Sequence, residues 1–332
     1  MKIGKLPHNM LADMLAKVPL DDRVVVGPGI GIDAAVIEFG DRLLVSKTDP
    51  ITFATDLIGW YAVNVNANDI AVMNADPRWF MVTMLVPEQT TKDEIEAIFG
   101  QILDACRSLG ITLVGGHTEI TYDIHRPIVV GCMLGETDRA RLVTASGARV
   151  GDDIVITKGI AVEGTSLLAR EAADRLAELG MAQDVIERAA NYLHDPGISM
   201  VKDARIATSA AHITAMHDPT EGGLATGLME IALASNLGLE VDQASIPILP
   251  ETEILCRALS LDPLGLIASG SLLLTVSPNE TPALLQAFNE AEIPASVIGR
   301  MTAKEQGLKM LTASGMRDLP AFPRDEIARF FG

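Results

Sequence analysis

The sequence predicts two α/β domains built from mixed sheets and helices, and three observations carry that expectation. Its 332 residues are about twice the length of a common single domain. Hydrophobic residues make up 48% against 21% charged, which is material for packed cores and not for a disordered chain. Short apolar runs of strand character alternate with amphipathic helical segments in both halves, with no low-complexity tract or long linker between them.

The elements follow in order. A short helix over about 8–17 precedes a glycine-rich loop, GPGIGID (27–33). AAVIEF and RLLVSKTD then read as a hairpin turned at Gly40-Asp41. The stretch VNVNANDIAVMNADP (63–77) is ambiguous. Val63, Val65 and Ala67 alternate with asparagines as in a half-buried strand, yet the run continues from DLIGWYA at helical spacing. PRWFMVTMLVP (77–87) reads as a buried strand closed by Pro87. TKDEIEAIFGQILDACRSLG (91–110) reads as an amphipathic helix, with Thr91 as its N-cap, Glu94 three residues on and Gly110 at its end. ITLVGGHTEI and RPIVVGCMLGE follow as strands.

From Gly151 a second pattern begins with the strand DDIVITKGI and the helix EGTSLLAREAADRLAELG, expected to start at Thr165 or Ser166. A further helix covers about 183–193. HITAMHDPTEGGLATGLMEIALASNLG reads as strand, acidic glycine turn and helix. SGSLLLTVS is a strand, ETPALLQAFNEA a helix and ASVIGRM a last strand. The boundary falls near 140–150, giving domains over 1–140 and 150–332.

The charge balance narrows the function classes. With 44 acidic residues against 26 basic ones the formal net charge is −18, which repels nucleic acid and anionic membranes. No apolar run approaches the roughly 20 residues of a membrane span, and MKIGKLPHNMLADML is too short and polar to read as a signal peptide. Cys106, Cys132 and Cys256 are scattered and odd in number, so they read as core thiols. A soluble, reduced, cytoplasmic protein is the expectation.

The chemistry is sought where carboxylates meet glycine turns. There is no P-loop and no dinucleotide fingerprint, and no CxxC, HExxH or Ser-His-Asp arrangement stands out. The GPGIG loop (Gly29, Gly31) reads equally as a surface turn, but it delivers Asp33 straight into an apolar strand. Asp49 closes the paired strand, so a hairpin can present two carboxylates to one cation, and magnesium typically takes one or two protein carboxylates. On a helix, Asn66 and Asp69 share a face; local capping bonds are the competing explanation. Asp218 precedes Gly222, Gly223 and a helix start that can receive a metal-bound phosphate, or simply form a capped turn. Gly115, Gly116, His117, Thr118 and Glu119 read as a ligand-facing loop at a strand end, against the commoner structural histidine.

GIDAAVI, TDPITF, VNANDIAVMNADP, GGHTEIT…RPIVVG, GDDIVITKGIAVEGT and DPTEGGLATGLMEIA occur in this order over about 30 to 230. Together they resemble the aminoimidazole-ribonucleotide synthetase (PurM-like) superfamily, whose members include selenophosphate synthetase, thiamine-monophosphate kinase and the hydrogenase-maturation protein HypE. GGHTE and DPTEGGLA are most similar to HypE. The resemblance implies a two-domain α/β protomer that forms a homodimer through its N-terminal sheets, with ATP in a cleft between the domains. By motif match, Asp33, Asp69 and Asp218 take the roles of magnesium-binding carboxylates, Asp49 and Asn66 line the nucleotide site, and Lys5 and Lys47 contact phosphate. It also resolves the 63–77 stretch as a helix with its polar side toward the nucleotide. The implied chemistry is phosphorylation, or activation through a phosphorylated intermediate, of a small-molecule or protein-borne acceptor, with metal and lysine stabilising the transferring group.

The chain departs from that pattern at three places. The glycine of the D-x4-G-A-x-P motif is Asn74, and an asparagine can still adopt the left-handed turn. Ser269 stands where HypE relatives usually carry a glutamate before Gly270. No cysteine follows Cys256, whereas HypE proteins end in a cysteine that carries the carbamoyl group. The expectation is therefore a HypE-like fold and nucleotide site with altered acceptor chemistry, alternatively a small-molecule kinase or a largely non-catalytic nucleotide-binding maturation partner.

Overall fold

The computed structural model describes residue 6 and residues 8–332. The chain divides into two compact units, one of Asp22–Val26 and Ala34–Leu142, the other of Gly27–Asp33, Val143–Gly332 and the segment up to Asp21. The helix α1 (His8–Leu15) belongs to the latter unit.

The first unit contains β1 (Val24–Val26), β2 (Ala35–Phe39), β3 (Arg42–Ile51), α2 (Ile58–Ala71), β4 (Asp76–Val86), α3 (Lys92–Leu109), β5 (Thr112–Ile120) and β6 (Ile128–Thr137). Its six strands run in the order β1-β2-β3-β6-β4-β5, with β4 and β5 parallel. The asparagine-rich stretch is helical. Nearly all of α2 is buried because the sheet covers one side and α3 the other. That burial explains the asparagines: a polar group out of water must be bonded. Asn64 Nδ2 donates to the Trp60 carbonyl, and Asn66 Nδ2 donates to the Ala62 carbonyl one turn back. Gly131 on β6 lets the helix sit close, since a Cβ there would collide with the Asn66 amide. Asn74 takes the left-handed conformation (φ 52°) that its place in the turn demands. The α3 capping box is complete, Thr91 Oγ1 accepting from the Glu94 amide and Glu94 accepting from the Thr91 amide.

The second unit contains β7 (Asp153–Thr157), α4 (Val162–Glu171), α5 (Ala173–Glu178), α6 (Gln183–Asn191), α7 (Val201–Ala210), β8 (Ile213–His217), α8 (Gly223–Ser235), β9 (Gly238–Asp242), α9 (Pro250–Leu259), β10 (Leu273–Val276), α10 (Thr281–Glu290), β11 (Ala295–Thr302), β12 (Leu308–Thr312), β13 (Gly315–Asp318) and α11 (Glu326–Phe331). The sheet order is β13-β12-β9-β11-β7-β10-β8. Its core packs Ile154, Ile156, Ala215, Leu239, Leu273 and Ile298 from the strands against Leu224, Leu228 and Ile231 of α8.

Four expectations need correction here. Residues 115–119 form the middle of β5 and not a loop, because parallel pairing with β4 continues from Gly115 to Ile120. The helix expected from Thr165 or Ser166 starts at Val162, and the segment breaks at Ala172 into α4 and α5. Residues 295–301 are not the last strand: a β12–β13 hairpin follows and β12 pairs with β9 in parallel. Cys106 and Cys256 are buried thiols, but Cys132 is only half-buried. Burial pushes Cys106 up to about 11 and Cys256 up to about 12.

Candidate functional site

In the first unit the site residues gather where β3 passes α2. Lys47 Nζ lies 2.8 Å from Asp69 Oδ1 and 3.4 Å from Asp49 Oδ2, so one ammonium bridges a buried and a half-exposed carboxylate. Asn66 holds this arrangement together: its Oδ1 accepts from the Asp49 amide at 2.9 Å and its Nδ2 reaches the Asp49 carbonyl at 3.3 Å. The side chain is fully buried and its amide is committed to the backbone. Asn66 therefore positions Asp49 and does not line an open face.

In the second unit a polar cluster is buried. Asp33, His217 and Asp218 each place a ligand atom within 4.8 Å of the others. His217 Nδ1 lies 2.6 Å from Asp33 Oδ1, and its Nε2 lies 2.9 Å from Glu230 Oε2. Burial alone would lower the imidazole pKa, but the two carboxylates outweigh it and hold His217 well above its ordinary value. With Asp33 and Glu230 facing its two ring nitrogens, His217 orients Asp33 within the cluster. Gly31 makes this possible. It is in the left-handed region (φ 71°), and a Cβ there would fall 2.8 Å from the Glu230 carbonyl, so only glycine lets the loop lie against α8.

The structure tests a divalent cation here through Asp33 Oδ2, which is buried and completes no hydrogen bond within the protein. An orphaned carboxylate oxygen beside a second carboxylate fits magnesium, which takes one or two protein carboxylates and fills its remaining positions with other oxygens. Asp33 and Asp218 are thus the ligand pair this cluster offers. The third expected ligand, Asp69, belongs to the first unit and holds Lys47.

The remaining expected residues are placed as follows. Gly222 and Gly223 form the left-handed turn into α8, but their amides are committed: Gly222 donates to Asp325 Oδ2 at 2.5 Å and Gly223 to the Thr220 carbonyl. A carboxylate of the chain itself thus sits at the helix start where a phosphate was expected. His117 and Glu119 lie 3.2 Å apart on the exposed strand β5, together with Gly115, Gly116 and Thr118. Gly29 lies in the loop before Asp33. Lys5 falls outside the described residues.

Sequence reasoning missed His217, Glu230, Glu163 and Asp325. A histidine at the end of an apolar strand, directly before Asp218, was a visible signal for the first. Nothing local marked the others, since each becomes polar-cluster material only by burial.

Comparison with known proteins agrees with this architecture. Residues 31–137 match the model of the AIR synthase related protein N-terminal domain, and residues 149–309 match that of its C-terminal domain. A Methanocaldococcus jannaschii protein named for hydrogenase expression/formation is 29% identical, over 96% of this chain and 94% of its own. The carbamoyl dehydratase HypE of Rhizobium leguminosarum bv. viciae is 29% identical, over 86% and 81%. A crystal structure of the hydrogenase maturation protein HypE in complex with ATP superposes with a TM-score of 0.69 at 23% identity, covering 96% of this chain and 91% of that one. With both domain models matched in order along most of its length, the chain belongs to the AIR synthase related protein family.

Proposed function

We propose that this protein is an ATP- and magnesium-dependent enzyme that phosphorylates a small or protein-borne acceptor, or activates it through a phosphorylated intermediate. The observation that carries this reading is Lys47 held between Asp49 and Asp69 by the Asn66 bracket. A lysine fixed in this way is a preplaced positive charge for a transferring phosphoryl group, and preorganised charge is the main catalytic resource in such reactions. Asp33 and Asp218 would hold magnesium, which when bound neutralises phosphate charge. His217 keeps Asp33 in place with its free oxygen available. The relatives support the class of reaction: one is named a carbamoyl dehydratase and another was solved with ATP.

Calorimetric titration of ATP with and without magnesium tests this. Binding should require the metal and weaken at least tenfold in Asp69→Ala; a wild type that binds no ATP, or an unaltered variant, sinks the proposal. Phosphorus NMR of the spent nucleotide then separates a stable phosphoproduct, as from a kinase, from released inorganic phosphate.

We also propose that the protein acts as a homodimer joined at β5. That strand is exposed along its length, with Val114 and Ile120 about half-exposed at the sheet edge, and an unpaired edge of this kind invites pairing. Sedimentation should give a dimer for the wild type and a monomer for Val114→Lys; a monomeric wild type at micromolar concentration removes this assignment. Among the described residues no helix is long and apolar enough to cross a membrane.

A further inference from the structure

Helix α8 starts at a position that cannot carry a capping side chain. Its N-cap residue is Gly222, where a Cβ would fall 2.2 Å from Thr226 Oγ1. A Cβ on Gly223 would fall 2.5 Å from the Leu264 carbonyl oxygen. The serine, threonine or aspartate that usually caps a helix from the N-cap position is therefore barred. The turn that ends here begins at Asp218, one of the two carboxylates offered to magnesium. Its own chain closes it through the Gly223 amide, which donates to the Thr220 carbonyl at 3.0 Å.

The cap comes from 103 residues away. Asp325 Oδ2 accepts from the Gly222 amide at 2.5 Å, which sets a carboxylate at the positive end of α8. Its other oxygen, Oδ1, accepts from the Ile327 amide at 2.7 Å, capping α11, and from the Ile267 amide at 3.4 Å. One buried carboxylate thus ties together the α8 turn, the loop before β10 and the last helix. Elsewhere the C-terminal segment is fastened to residues 260–265. The Phe322 ring fills the space beside Gly265, where a Cβ would fall 2.2 Å from it. Glu326 Oε2 accepts from the Asp262 amide at 3.0 Å, and Arg329 donates to the Ser260 carbonyl. Asp325 is where this segment reaches the turn.

We propose that the C-terminal segment is a strap that sets the geometry of the magnesium turn, with Asp325 as its positioning residue. Docked, Asp325 holds Gly222 and, through the turn, keeps Asp218 at the cluster with Asp33. Undocked, the two glycines leave the turn free to wander, and the metal is bound weakly. The physical reason is preorganisation: a ligand carried on a glycine turn has backbone freedom to lose on binding, and a brace removes that freedom beforehand. This rests on the reading of Asp33 and Asp218 as the magnesium pair. Groups that orient metal ligands are typically worth 10- to 100-fold in metal affinity. Asp325 acts through the backbone of the turn, so the lower end of that range, about tenfold, is expected.

The test uses the full chain, with calorimetric titration of magnesium alone and hydrogen exchange of the metal-free protein. Asp325→Asn removes the charge and sets an NH2 donor against either Gly222 or the Ile267 and Ile327 amides. Asp325→Ser keeps a cap for α11, but its single, shorter oxygen cannot also hold Gly222. Both variants should bind magnesium about tenfold more weakly than wild type. The amides of residues 220–223 should exchange roughly tenfold faster, in step with the lost affinity, while β8 keeps its wild-type protection. In ADP release the KM for magnesium should rise by the same factor with kcat little changed. Binding within about twofold of wild type by Asp325→Asn overturns the proposal. So does full recovery by Asp325→Ser, which would reduce Asp325 to a cap of α11. Loss of β8 protection in both variants overturns it too, because Asp325 would then support the whole unit. A wild type that binds no magnesium overturns the underlying metal reading, and this proposal with it.

Discussion

Replacing Lys47 by methionine is expected to lower ADP release by about 10²–10³-fold, the usual cost of deleting one preplaced electrostatic donor. Methionine keeps the length and apolar stem of the side chain and removes only the ammonium between Asp49 and Asp69. Asp49 is about a third exposed and stays solvated, whereas Asp69 is buried and loses the ammonium 2.8 Å from it. A stability loss of about 1–3 kcal/mol should accompany the change, the typical penalty for removing one partner of a buried polar group. The kinetic effect should fall mainly on kcat, because the charge is needed most where phosphate charge is redistributed. Lys47→Arg restores the charge but not the point geometry and should recover only part of the rate. Steady-state kinetics beside urea unfolding curves decide the matter. A Lys47→Met enzyme with wild-type kcat would remove Lys47 from the phosphate-handling machinery.

His217→Gln should be the most damaging substitution for folding, costing about 3–5 kcal/mol below neutral pH without added divalent cation. Removing one member of a buried ionic set leaves its partner uncompensated, here Asp33, whose carboxylate lies 2.6 Å from the imidazole. The pH dependence follows from the raised imidazole pKa. The folded state holds the proton more tightly than the unfolded chain, so the stabilisation is fully present below about 6.5, the unfolded value. It is lost as pH rises through the folded value, which lies well above. Urea unfolding of both proteins from pH 6 to 10 should therefore show a gap that narrows toward alkaline pH. A constant or widening gap would show that His217 is neutral in the folded protein. Magnesium should stabilise the wild type, since a cation bound only by the native state shifts the equilibrium by mass action.

Local chemistry was legible where a few neighbouring residues decide the structure. The Thr91–Glu94 box, the Gly40-Asp41 hairpin turn and the left-handed Asn74 each depend on contacts within a few positions. The asparagine-rich stretch showed only that something polar needed bonding. Its helical state was resolved by family likeness, because strand and helix periods fitted it about equally. GGHTE misled because paired glycines usually end a strand; parallel pairing with β4 overrides that preference. The β12–β13 hairpin was missed although LKMLTASGMRDL alternates around a small-residue turn.

By itself, then, the sequence determined the two α/β domains and the helix and turn signals, and it singled out the carboxylates Asp33, Asp49, Asp69 and Asp218 as candidates. Only the tertiary structure decided how they are used. It gave Asp69 and Asp49 to Lys47, spent Asn66 on the backbone, and set Asp33 on His217 with one oxygen left over. It also capped Gly222 with Asp325 and buried Glu163 beside Ser269. The physical reason is common to all of these. A carboxylate's role depends on its desolvation and on which opposite charge or donor faces it, and both come from residues far apart in the chain.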